Sequence, residues 1–106
     1  MENFLNSKPR FATNDVINAF QGFFIDNLWF IIDYNLKGVF EMTPSLEFEV
    51  LENFEVGNTV IRYVEPPVVQ QPRQILIDLP IQYNPAYPTH VFALDFGERQ
   101  VISLNK

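Results

Sequence analysis

Ser45-Leu46-Glu47-Phe48-Glu49-Val50 alternates apolar and acidic side chains one for one. A period of two marks a strand with one face on a core and the other in water. Leu51 follows Val50 directly and breaks the alternation, which predicts a bulge or the end of clean pairing. Val56-Gly57-Asn58 then supplies turn chemistry before Thr59-Val60-Ile61-Arg62-Tyr63-Val64, so residues 46 to 64 are predicted to form a hairpin.

Further toward the C-terminus, Glu65-Pro66-Pro67-Val68-Val69-Gln70-Gln71-Pro72 is rich in proline. Proline cannot donate to a sheet ladder, so this stretch is predicted to be an extended connection or an edge. Arg73-Gln74-Ile75-Leu76-Ile77-Asp78-Leu79 resumes a strand that Pro80 is expected to close, and Tyr83-Asn84-Pro85-Ala86-Tyr87-Pro88 reads as a second proline-rich loop. Val91 to Asp95 and Arg99 to Leu104 form a second hairpin about Phe96-Gly97-Glu98, where Gly97 is free to take positive φ.

Toward the N-terminus, residues 13 to 38 carry a helical period. Thr13, Asn14 and Asp15 are cap-type residues, and Gly38 is a stop signal. Ile17, Phe20, Phe24, Leu28, Ile31 and Asn35 step by three and four into one apolar stripe that should bury. Phe23, Trp29, Phe30 and Tyr34 lie partly outside it, so the helix is apolar around more of its girth than covering a sheet requires. A short strand at Arg10-Phe11-Ala12 is expected to precede the helix. The expectation is an α+β domain spanning residues 1 to 106: one long N-terminal helix packed on an antiparallel sheet of about five strands built from two hairpins.

The 106 residues are 47% apolar, 15% aromatic and 19% charged, enough to bury a core. A net charge of -6 disfavours direct nucleic-acid binding by phosphate neutralisation. The absence of cysteine removes disulfides and thiolate metal sites and fits a reducing compartment. Met1-Glu2-Asn3-Phe4-Leu5-Asn6 lacks the basic start of a signal peptide, and the apolar run Leu28-Trp29-Phe30-Ile31-Ile32 is too short to span a bilayer. A cytoplasmic location without membrane contact is expected.

Motifs for chemistry are sparse. His90 is the single histidine, so a site of several imidazoles is excluded, and a Ser-His-acid relay would have to pass through it. No serine sits in a Gly-x-Ser-x-Gly elbow, and four scattered glycines leave no phosphate loop. Glu47 and Glu49 share one strand face, with Glu52 and Glu55 further along; paired carboxylates can do acid–base work or bind a hard cation, but alternation with apolar residues reads first as a solvated sheet face. No metal, cofactor or catalytic residue is therefore assigned. Trp29, Phe30 and Tyr34 are the candidate interaction residues, because Trp and Tyr are enriched at interface hot spots. If they stay outside the sheet-facing stripe, a homodimer is the simplest way to cover them.

The order of pieces resembles the domain-of-unknown-function 960 family, small proteins of Gram-positive bacteria and their phages. Carrying the resemblance are Arg10-Phe11-Ala12-Thr13, Leu28-Trp29 with Ile32-Asp33, Ser45-Leu46-Glu47-Phe48-Glu49, Glu65-Pro66-Pro67, and Val91-Phe92-Ala93-Leu94-Asp95-Phe96-Gly97-Glu98. Asn14 stands where such openings carry arginine, and no basic cluster follows Ile32-Asp33. The resemblance implies a fold and a cytoplasmic or phage setting, and assigns no catalytic residue. The leading expectation is a non-catalytic protein-interaction domain of unknown target. The alternative is an acidic phage-encoded inhibitor whose Glu47, Glu49, Glu52 and Glu55 stand in for phosphates on a host protein's nucleic-acid site. A small hydrolase built on His90 comes last.

Overall fold

A computed structural model describes residues 3–66 and 70–106. Six strands form one sheet: β1 (Arg10–Ala12), β2 (Ser45–Glu52), β3 (Asn58–Val64), β4 (Gln74–Gln82), β5 (His90–Asp95) and β6 (Gln100–Ser103). Their order is β1-β6-β5-β2-β3-β4, so the two hairpins lie side by side and β2 occupies the middle. Every pair is antiparallel except β1 with β6, which run parallel with Phe11 opposite Val101. The sheet is thus mixed and has six strands, where an antiparallel sheet of about five was expected.

The helical segment is not one long helix. α1 (Asn14–Ala19) ends where Phe20 takes φ -124° and ψ 154°, and α2 (Gly22–Ile31) begins after Gln21, also extended. This break resets the helical phase. Val16 turns into the core while Ile17, assigned to the buried stripe, is 53% exposed; Phe20, Phe24, Leu28 and Ile31 are buried as expected. α2 continues into a π-helical turn, Ile32–Leu36, in which Lys37 N–H donates to Ile32 C=O at 3.1 Å. Ile31, Ile32 and Leu36 all bury before Gly38, at φ 82°, stops the helix.

The helices cover one face of the sheet, meeting Leu46, Phe48 and Val50 of β2, Ile61 and Tyr63 of β3, Val91 and Ala93 of β5 and Ile102 of β6 in a single buried cluster. Phe4, at φ 60°, is fully buried in the same cluster. Its N–H donates to an Asp95 carboxylate oxygen at 2.6 Å, and Gln100 donates from its side chain to the Leu5 carbonyl at 2.7 Å. Leu51 pairs with Val60 without interruption, so the expected bulge is not on β2. The register slips instead on β4, between the pairs Asn58–Gln82 and Val60–Asp78. Pro80 therefore sits inside an edge strand at an irregularity, a position proline tolerates, and does not end it. Residues 67–69 of the proline-rich connection lie outside the described residues. Among the described residues no helix is long and apolar enough to cross a membrane.

Candidate functional site

The outer side of α2 and of the π-helical turn after it carries three aromatic residues that the core does not use. Phe23 is 54% exposed, Phe30 56% and Tyr34 71%. Steps of seven and four place them on one side of the helix. The rings of Phe30 and Tyr34 lie 4.6 Å apart between centroids and tilt by 35°, a favourable aromatic pair left in water. Trp29, one position from Phe30, turns toward β1 and packs against the core. The Arg10 guanidinium lies 4.7 Å above its ring. The exposed set is therefore Phe23, Phe30 and Tyr34, and Trp29, expected among them, is packed against the core instead.

Arg10 also fixes where this helix sits. Its two terminal nitrogens donate to the two Asp33 carboxylate oxygens, each at 2.7 Å. Its Nε donates to Gln100 Oε1 at 2.8 Å, so one planar fork ties β1, β6 and the π-helical turn together. Lys37 adds a contact to Asp33 at 3.1 Å, one turn along. Burial pulls the Asp33 carboxyl upward, but the hydrogen bonds from Arg10 and Lys37 outweigh it and hold the group below the ordinary carboxylate range.

The four glutamates do not form one surface. Glu47 and Glu49 lie on the sheet face away from the helices, Glu52 stands opposite the buried Thr59 and belongs to the other side of β2, and Glu55 is in the hairpin turn. Arg62, across from Glu49, neutralises it at 2.6 Å. His90 opens β5, and among the described residues its nearest acidic neighbour is Glu47, 3.9 Å from Nε2 and beyond hydrogen-bond reach. Glu47, Glu49, Arg62, Ser45 and Lys106 border a shallow open concavity of about 340 Å³. Both charge signs meet there. Among the described residues no three His, Asp or Glu side chains gather to hold a metal ion.

A second clamp closes the connection between β3 and β4. Glu65 Oε1 accepts from Arg73 N–H and Nε, both at 2.9 Å, and Glu65 N–H donates to the Arg73 carbonyl. Arg73 reaches on to the Val39 carbonyl and lies 4.8 Å over the Phe40 ring, joining this connection to the end of the helix. The side-chain and backbone hydrogen bonds from Arg73 hold the Glu65 carboxyl below its ordinary range. Tyr63 is pushed upward by burial and then by the nearby Glu65 charge.

Other exposed apolar residues lie outside the aromatic set expected from the sequence: Phe54 at the tip of the β2–β3 turn, Phe11 and Leu76 on the uncovered sheet face, and Phe96 in the β5–β6 turn. Phe23 could have been added from its spacing to Phe30 alone. Leu76 could not, because an edge position depends on strand order.

No curated protein matches the chain. A crystal structure of a protein of unknown function from Enterococcus faecalis is similar at 34% identity and a TM-score of 0.88, over 99% of this chain and 94% of that one. The family model described as a staphylococcal protein of unknown function, DUF960, matches residues 9–106, and the chain belongs to that family.

Proposed function

We propose that this chain is a non-catalytic, cytoplasmic protein-interaction domain that takes a protein partner on the outer side of α2. One observation carries the reading: Phe30 and Tyr34 pair in solvent, on a helix whose position Arg10 and Asp33 lock. Exposed, rigidly held aromatic side chains are the usual anchors of protein interfaces. The phage-inhibitor reading has less support, because Glu47, Glu49, Glu52 and Glu55 point to different surroundings and Glu49 is already paired with Arg62. Among the described residues His90 likewise has no hydrogen-bonded acid to orient it.

The test is capture from a bacterial lysate by the wild-type chain and by Phe30→Glu and Glu47→Lys, with and without nuclease. A charge in the aromatic patch should abolish capture, while Glu47→Lys should leave it intact. Capture that survives Phe30→Glu but is lost with Glu47→Lys or at raised salt would overturn the reading and favour the acidic surface.

A further inference from the structure

We infer that the free edge of β4 pairs with the β4 edge of a second copy, in one register centred on Leu76. β4 ends the sheet and among the described residues has β3 as its sole strand neighbour. The direction of its backbone groups follows from the ladder. Glu65 N–H donates to the Arg73 carbonyl at 2.9 Å, and the register runs on through Val64–Gln74, Tyr63–Ile75 and Ile61–Ile77. Antiparallel pairs alternate between bonded and non-bonded, so Arg73, Ile75 and Ile77 bond to β3. The N–H and C=O groups of Gln74, Leu76 and Asp78 therefore point away from the sheet. The far side of β3 gives the same phase: Asn53 N–H donates to the Asn58 carbonyl, so Asn58, Val60 and Arg62 serve β2 and leave Ile61 and Tyr63 for β4.

The edge is bracketed. Pro72 precedes it and Pro80 interrupts it, and neither has an N–H to offer. The proline and the register irregularity that protect exposed edges lie at its ends, and between them the outward backbone groups meet one charge, Asp78, and no lysine. An incoming antiparallel strand finds its donors and acceptors at Gln74, Leu76 and Asp78. Only a two-fold axis through Leu76 uses all of these residues on both copies, setting Leu76 against itself and Gln74 against the other copy's Asp78. Shifting the axis by one residue sets Gln74 against Pro80, or Asp78 against Pro72.

The side chains agree with this register. Leu76 is 56% exposed, and its counterpart would cover it. Gln74 uses Oε1 to accept from Arg62 Nε, and among the described residues its amide N–H groups have no partner. Asp78 uses Oδ1 to accept from Asn53, and among the described residues its Oδ2 has no partner. The free donor and the free acceptor face each other twice across the axis, the self-complementarity that an isologous interface requires. A short edge of this kind makes a weak, transient dimer. The net charge of -6 on each copy opposes it, so added salt should strengthen it.

The absence of cysteine allows a clean test. Directly opposed bonded residues stand about 5.5 Å apart at Cα, within disulfide range. Leu76→Cys should form covalent dimers under mild oxidation, and Gln74→Cys and Asp78→Cys should do so when mixed but not singly. Sedimentation of the cysteine-free chain should show a monomer–dimer equilibrium that Leu76→Lys abolishes and Phe30→Glu leaves unchanged. The inference is overturned by a wild-type monomer at high concentration, by crosslinking no faster at Leu76→Cys than at Asp78→Cys alone, or by a dimer that Phe30→Glu destroys.

Discussion

Removing the Arg10 side chain should be among the costliest single changes in this protein. Arg10→Ala leaves the Asp33 carboxylate with Lys37 at 3.1 Å and takes away two hydrogen bonds at 2.7 Å. It also strips Gln100 Oε1 of its donor and uncovers the Trp29 ring. Breaking a buried, hydrogen-bonded ion pair from one side costs about 3–5 kcal/mol. Arg10 and Asp33 retain some solvent contact, which places the expected loss near the lower end, about 3 kcal/mol. Against a total of about 5–15 kcal/mol for a domain of this size, that is a large fraction. Thermal unfolding followed by circular dichroism should show a midpoint lowered by about 10–20 °C. The pH dependence gives a second check. The folded Asp33 carboxyl is held below its unfolded value, so its stabilisation is present above about pH 4 and is lost as pH falls through the folded value. The stability gap between wild type and Asp33→Asn should therefore narrow below about pH 4. An Arg10→Ala midpoint within a degree or two of wild type, or a gap that does not change with pH, would refute the assignment of this fork as the anchor of α2.

Three further outcomes are expected. Phe24→Ala should destabilise by about 3–5 kcal/mol and Leu28→Ala by about 2–5 kcal/mol, while Ile17→Ala stays within about 0.5 kcal/mol; denaturant midpoints at constant slope would measure this. Thr59 is buried and its hydroxyl is, among the described residues, the one buried side-chain polar atom without a hydrogen-bond partner, so Thr59→Val should be neutral or stabilising by about 1 kcal/mol in the same assay. The Arg73 amide proton, bonded to Glu65, should shift in NMR spectra as acid is added, with a midpoint below the ordinary glutamate value; a midpoint at that value would show that the clamp does not persist in solution.

Local pattern carried the parts of this fold that are local. The alternation through Leu46, Phe48 and Val50 and the turn glycines at 57 and 97 specify two hairpins, and both are present. Arg10-Phe11-Ala12 is a strand as expected, but its parallel partner β6 is remote in sequence, and no periodicity encodes such a pairing. The helix break was hidden because Ile17, Phe20, Phe24 and Leu28 keep helical spacing across it. Phe20 is buried from an extended conformation and stacks on Phe24 at 4.0 Å, so the apolar pattern survives where the helix does not. Gly22, a poor helix former, was the available hint. At the candidate site, the sequence identified Phe30 and Tyr34 by exclusion from the stripe. It placed Trp29 with them because nothing local shows that Arg10 would lie over the indole.

The seating of Phe4 has a consequence for how the chain is made. Its N–H is held by Asp95, 91 positions later, and the strand that follows it pairs with β6. A ribosome adding about 5–20 residues per second makes Phe4 and β1 roughly 5 to 20 seconds before their partners exist. Phe4 and β1 are thus among the last parts of this domain to find their place, and a buried phenylalanine must wait in water until β6 has been made. Pairing across so long a stretch of chain raises the contact order, so docking of Phe4 and β1 should be slower than closure of the two hairpins.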